Sequence, residues 1–490
     1  MSQAAANPVR PAPVKWCFNA LIDGKLVAGE GEILRIENPA TEAIIAEFPQ
    51  ASLGQVDLAV KAARRAFDSG RWSDPTLRAS SMRRLADLVE ANFDELASAV
   101  VQETGTPYSL CRPLQIGAPI LFLRDFAERT AIDRVRHLGQ DKVAPISDGF
   151  VRFHPAGVVA AITAYNYPLH LAVVKMGAAL AAGCTVVLMP SALAPLTTLR
   201  FGELIREAGF PDGVVNIVAG GPAHGRALST HSDVDRVSFT GSVDVGREIM
   251  HQAAEGIKGV VLELGGKSPA IVLPEADLPS LIHGLHMRYA RNAGQGCQSP
   301  TRLLVPQAMM ADFADLSHAA LAKIPVGDPF DPATAVGPLI TERHRARVEG
   351  YVERAVKAGG AVLAGGGRPD IARGWFMNPT VIGNLGNDSE LARNELFGPV
   401  AMVLPYRDEE DAVRIANDCE LGLAAHVIGP VDRAKALAPR LRAGTVFING
   451  GGNLRPDGSI AGWKKSGIGR EWGEAGILEF MVPQYVQWPV

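Results

Sequence analysis

The sequence predicts an α/β protein: two parallel-sheet αβα domains plus a small β extension used in oligomerisation. Three observations predict it. Strand-like and helix-like runs alternate from GVVAAITAYN at 157–166 to VDRVSFTGS at 234–242, at intervals of about 25 residues, and the strands are apolar on both faces. Such strands need helices covering both sides of a sheet. A second alternation starts after Gly256, with strands at VVLEL, PAIVL and TRLLVP and helices at 278–293 and 308–322. Two stretches outside these units, 132–152, which loses helical period, and the tail 466–490, a half-helix and then an apolar strand-like run, are expected to pair with another strand or subunit.

Length and composition agree with this. The chain has 490 residues, too many for one core, so two to four domains are expected. Its 51 glycines fall between short apolar runs, which favours an α/β enzyme over a helical bundle. A net charge of −4 gives no attraction to nucleic acid or to an acidic membrane. The five cysteines, at 17, 111, 184, 297 and 419, form no CxxC pair, so no metal site is expected and a reduced, cytoplasmic setting is. MSQAAANPVRPAPVKW is broken by prolines and has no signal-peptide core. The most apolar run, Leu171 to Met189, contains Lys175 and splits into a helical half and a β-branched half, so it reads as a helix feeding a buried strand.

In chain order, residues 1–50 read as an extended arm and a hairpin around the DG turn of ALIDGKLV. Helices follow from Leu53, with Ser52 as N-cap, then two more up to Gly105, and another at 115–132. Phe239–Gly246, FTGSVDVG, is a strand, a glycine turn and a helix start whose N–H groups could hold a pyrophosphate or could be needed for geometry alone. The domains are set at 1–131 with 153–260 for the dinucleotide, 261–465 for catalysis, and 132–152 with 466–490 for oligomerisation.

The chemistry is expected between Glu263, in VLELGGKSP, and Cys297, in RNAGQGCQSP. Gly294 and Gly296 let backbone approach a ligand there. Taken singly, Cys297 reads more readily as a small buried hydrophobe than as a nucleophile, Glu263 reads also as a cap or lysine partner, Asn166 more readily as a turn residue before Pro168, and Lys175 equally as a core-snorkelling lysine. Six motifs in order change that balance: Ala164–Pro168 (AYNYP), Phe239–Ser242 (FTGS), Glu263–Gly266 (ELGG), Gly294–Cys297 (GQGC), Glu395–Pro399 (ELFGP) and Lys464–Glu471 (KKSGIGRE). With them the chain, from about Asn38 to its end, resembles the non-phosphorylating, NAD(P)-dependent aldehyde dehydrogenase superfamily.

The resemblance implies an aldehyde dehydrogenase-like fold and a catalytic set of Cys297, Glu263, Asn166 and Lys175. Cys297 would attack the aldehyde carbon, with Asn166 and the Cys297 N–H holding the oxyanion. Hydride transfer to the nicotinamide would leave a thioester, and Glu263 would activate the water that hydrolyses it. Lys175 would take a relay or structural role. The cofactor would meet Ala164, Tyr165, Met189, Ser191, Gly220, Phe239, Gly241, Ser242, Leu264, Gly265 and His344. Glu395 would hold the nicotinamide ribose, with Phe397 against the ring. The partners implied are a small aldehyde and further copies of the chain, as a dimer or a dimer of dimers.

Two departures from the family pattern stand out. The adenosine ribose is usually gripped by a lysine and a glutamate; this chain has Met189 and Ala192, so weaker anchoring is expected, with NAD the first choice and NADP possible. The usual phenylalanine of the closing motif is Ile460. With Tyr167, Leu171, Val174, Gly296, Gln298 and Leu454 it gives a mostly aliphatic tunnel for a medium-sized neutral or apolar aldehyde. The alternatives carried forward are a coenzyme-A-acylating enzyme, which generally lacks a glutamate at 263, and a nucleotide-binding scaffold with little turnover.

Overall fold

A computed structural model describes residues 11–452 and 454–490. The start of the expected N-terminal arm, residues 1–10, lies outside the described residues. The first sheet has eight strands. Five are parallel and central, in the order Val215–Ile217, Thr185–Met189, Val158–Ile162, Arg236–Thr240, Gly259–Glu263. The hairpin Ala20–Ile22/Lys25–Val27 closes one edge, turning through Asp23 and Gly24, both at positive φ as an Asp-Gly hairpin turn requires. Gly467–Ile468 closes the other edge, antiparallel to Gly259–Glu263.

The chain leaves Val158–Ile162 toward one side and later adds Arg236–Thr240 on the other. The strand order therefore reverses between these two, which opens a crevice outside their carboxyl ends. The Leu171–Met189 run folds as expected, into the helix Pro168–Ala182 ended by left-handed Gly183, then the buried strand Thr185–Met189. Among the described residues no helix is long and apolar enough to cross a membrane.

The second sheet has seven strands: Ala361–Gly365, Thr380–Gly383, Val400–Tyr406, Pro300–Pro306, Ser268–Val272, Ala424–Ile428 and Thr445–Ile448, all parallel except the first. A third sheet joins Met481–Pro489 to Ser147–Pro155 over nine residue pairs, with Val135–His137 beyond.

These elements shift several expected limits. Gly259–Glu263 runs across the expected 260/261 boundary and pairs only with the first sheet, so the passage between sheets is 264–267. The extension strand continues past 152 to Pro155. Of 466–490, residues 467–480 pack on the first domain and only the final strand joins the third sheet. The helix expected at 115–132 is Gly117–Arg129, preceded by a π-helical turn at Cys111–Gln115.

Candidate active site

The site forms where the carboxyl ends of the first sheet face the amino ends of the second. Asn166 follows the strand Val158–Ile162, Ser242 follows Arg236–Thr240, and Glu263 ends its own strand. Cys297 precedes Pro300–Pro306, and Glu395–Pro399 precede Val400–Tyr406.

Glycines let these pieces meet. A Cβ on Gly266 would stand 2.4 Å from the Cys297 carbonyl oxygen, and one on Gly294 would stand 2.1 Å from the Gly398 carbonyl oxygen. The ELGG, GQGC and FGP backbones are thus in direct contact, which no residue with a side chain permits at those two places. Ser466, fully buried, ties down the first of them: its Oγ donates to Gly265 O at 2.7 Å and accepts from Gly422 N at 2.9 Å.

The Cys297 thiol and Glu263 carboxyl face each other closely enough to perturb each other's titration. Among the described residues, neither Glu263 oxygen reaches hydrogen-bond geometry with a protein atom. Burial first, then the Glu471 carboxylate, pushes Glu263 up to about 8, against the opposing pull of Lys175. Burial and then Glu263 raise the thiol well above its usual value. Lys175 is buried on the helix Pro168–Ala182, where its Nζ donates to Glu471 Oε1 at 2.6 Å and Ser238 Oγ at 3.2 Å. It acts on Glu263 through charge, not contact.

Asn166 is buried with one amide hydrogen committed to the Gln295 carbonyl at 2.9 Å, which leaves the other free. Its own carbonyl accepts from Gln115 Nε2 at 3.0 Å and Asn292 Nδ2 at 3.1 Å. Thr106 Oγ1 donates to Asn292 Oδ1 at 2.6 Å and accepts from Gln115 Nε2 at 3.0 Å. Gln295 Oε1 accepts from Ile340 N at 3.0 Å. This buried net fixes a segment in which Asn292, Ala293 and Gly294 are successively left-handed, a conformation that Asn and Ala adopt only when the surroundings enforce it. Sequence reasoning missed Thr106, Gln115, Asn292, Gln295 and Ser466. Their partners are far apart in the chain, and the one local hint was the NAG run before Gln295.

The crevice fits a dinucleotide. Ser242 caps the 13-residue helix Val243–Glu255, accepting from Val245 N, which leaves the N–H groups of Val243 and Asp244 to meet phosphate. A Cβ on Gly241 would meet the Phe239 ring at 2.3 Å, whereas one on Gly221 meets nothing within 4 Å. Thr163 Oγ1 and Thr240 Oγ1, at the ends of the two strands flanking the crevice, are buried without partners among the described residues. Met189 is buried, with its carbonyl accepting from Thr163 N at 3.0 Å, and the Ser191 hydroxyl accepts from Leu193 N. Gly220 packs its Cα side on the His224 ring, whose Nε2 lies 2.6 Å from Ala51 O.

At the other end Ala164 is half-buried and Tyr165 meets Phe397 edge-on at 5.9 Å. His344 Nε2 donates to Phe397 O at 2.7 Å. Leu264 is buried, its N–H on Ser466 O. Glu395, expected to grip a ribose, here turns onto the glycine backbone: its Oε1 accepts from Gly266 N at 3.1 Å, and burial raises it to about 7. Of the expected tunnel residues, Tyr167 reaches the nucleophile segment, its hydroxyl 3.7 Å from where a Gly296 Cβ would be. Leu171 is buried on the same helix turn, and the Gln298 carbonyl accepts from His426 at 3.1 Å. Val174, Ile460 and Leu454 pack in the core cluster of the first domain.

The aldehyde dehydrogenase family model matches residues 26–486. Geranial dehydrogenase of Castellaniella defragrans is 40% identical over 450 residues, 90% of this chain and 92% of its own. The 3-succinoylsemialdehyde-pyridine dehydrogenase of a Pseudomonas species is 39% identical, covering 94% and 96%. The NAD+ complex of a Bacillus cereus aldehyde dehydrogenase superposes with a TM-score of 0.94 at 36% identity, covering 99% of this chain and 100% of that one. Pseudomonas syringae aldehyde dehydrogenase C, solved as a cysteine-to-alanine variant with NAD+ and octanal, gives 0.91 at 36% identity over 96% of each chain. With the two facing sheets, the dinucleotide crevice and the opposed thiol and carboxyl, these likenesses establish that the chain belongs to the aldehyde dehydrogenase family and is one of its NAD(P)-dependent dehydrogenases.

Proposed function

We propose that the protein oxidises a medium-sized, neutral or apolar aldehyde to its carboxylic acid through a thioester on Cys297. The observation that carries this is Glu263: a buried carboxyl, facing the thiol, with both oxygens unspent on protein partners. When ionised it takes a proton, first from the thiol and later from water. At pH 7 a group with pKa about 8 is ionised in roughly one molecule in ten. The attacking sulfur leaves negative charge on the aldehyde oxygen, which the free Asn166 N–H is held to receive. Bound NAD(P)+ supplies the hydride acceptor. Ser242 and the helix it caps would hold the pyrophosphate, and Phe397 would wall the nicotinamide cleft.

The aliphatic Leu171, on the helix that follows Asn166, supports an apolar substrate, as do the relatives whose names carry geranial and octanal. NAD is the expected cofactor by likeness to the family alone, since Met189 does not attract a 2′-phosphate and Ala192 does not repel one. The unspent Glu263 also favours water over coenzyme A as thioester acceptor. The third sheet, with Tyr485, Trp488 and Val490 exposed, suits contact with further copies, as a dimer or dimer of dimers. The test is NADH or NADPH formation with octanal, geranial and short acidic semialdehydes, wild type against C297A. Turnover without coenzyme A, abolished in C297A, is expected. Acyl-CoA formed only with added coenzyme A, or nucleotide binding with no turnover, refutes the proposal.

A further inference from the structure

The helix Pro168–Ala182 carries Asn166 just before its first residue; its other end, about 22 Å away for 15 residues, opens into a different cavity. This cavity has a volume of about 280 Å³ and lies where the first domain meets the third sheet. Its walls mix Phe67, Trp72, Phe153 and Met481 with two arginines, Arg78 and Arg134.

The arginines differ. Arg134 is neutralised by a two-pronged pair with Glu474, at 2.7 and 3.1 Å. Arg78 is 9% exposed and has no carboxylate within ion-pair distance among the described residues. Its Nη1 donates to the Trp72 and Ser73 carbonyls at 3.0 and 2.6 Å; Nε is buried without a partner, and Nη2 makes no hydrogen bond among the described residues. Burial first and then repulsion from Arg134 work against its charge, with Asp74 pulling the other way. Asp133, the one acid on the cavity wall, is exposed and makes no ion pair among the described residues. A buried guanidinium held this way is costly unless an anion completes it.

We propose that this cavity binds a small organic carboxylate, with Arg78 as its charge partner and Phe67, Trp72 and Phe153 as walls for an apolar body. A cation with no ion-paired carboxylate among the described residues suits a monoanion better than a phosphate dianion, and Nη2, neither sealed from the cavity nor spent on a carbonyl, is the donor it offers to a carboxylate. The volume, near the lower limit for ligand pockets, suits a benzoate or a short fatty acid. The site stands apart from the dehydrogenase chemistry and does not depend on it.

The test is titration of the full-length protein with 4-fluorobenzoate, followed by fluorine NMR line broadening. Wild type should bind with a Kd of about 1 mM or tighter. Arg78→Met should weaken binding roughly tenfold or more, and Arg78→Lys should keep part of it. Because Arg78→Met can disturb the turn it braces, Ser73→Phe is the second variant: it fills the cavity from an exposed wall position and leaves Arg78 in place. It should abolish binding while aldehyde oxidation stays unchanged. No saturable binding to wild type overturns the proposal. So does binding undiminished in both variants, which would put the probe in the catalytic tunnel.

Discussion

Lys175→Met is the most informative single change, because Lys175 serves both the fold and the chemistry. The side chain is 1% exposed and holds Glu471 at 2.6 Å, joining the central helix of the first domain to the edge segment Arg470–Glu471. Methionine keeps the length and removes the charge, leaving the Glu471 carboxylate buried without its cation. Breaking a buried pair from one side costs about 3–5 kcal/mol, whereas replacing both partners by apolar groups is near neutral or stabilising. Urea unfolding at pH 7 should therefore show a loss of that size in Lys175→Met and recovery in the double variant Lys175→Met/Glu471→Leu. Activity gives a second readout. Lys175 pulls the Glu263 pKa down and Glu471 pushes it up. The ascending limb of kcat against pH should move to higher pH in Lys175→Met and to lower pH in Glu471→Gln. A stability loss under about 1 kcal/mol, or a limb that stays put in both variants, would refute the charge argument.

Glu263→Gln should form NADH more slowly than wild type, because the thiol loses its base, reach no more than one equivalent per site, and stall with acyl-enzyme on Cys297, measured by rapid mixing and intact mass; full steady turnover would show that another group activates water. Gln115→Leu removes donors to Asn166 O and Thr106 Oγ1, so kcat should fall roughly tenfold or more with cofactor KM unchanged, since oxyanion donors lose about 10²–10³ when removed outright. His286 is buried with both ring nitrogens unpartnered among the described residues, and burial lowers it to about 4. The unfolded chain takes up a proton there below about pH 6.5 that the folded chain refuses. Stability should therefore fall as pH drops from about 6.5 to 4, and His286→Phe should flatten that slope in melting curves. Ala192→Glu should tighten NAD and weaken NADP, read as the ratio of their KM values; no change in the ratio would mean that the ribose lies elsewhere.

Residue order alone determined the larger outline. Apolar strands spaced by amphipathic helices dictate covered parallel sheets, and Asp23–Gly24 and Gly183 mark a turn and a helix end because their backbone needs are local. The nucleophile, base and oxyanion donor were legible through six ordered motifs and their resemblance to the aldehyde dehydrogenases, since each residue taken singly had a plainer reading. Tertiary structure decided what depends on contact across the chain. Gly266 meets the Cys297 backbone, Thr106 meets Asn292, and Lys175 meets Glu471 only after two sheets have assembled, and none of these distances has a trace in local pattern. The same holds for the boundary near 264–267, set by which sheet edge a strand pairs with, and for Arg78, whose missing counter-charge becomes visible only when its neighbours are in place. Pattern reports which face of an element is apolar; it does not report which distant group will complete a buried charge.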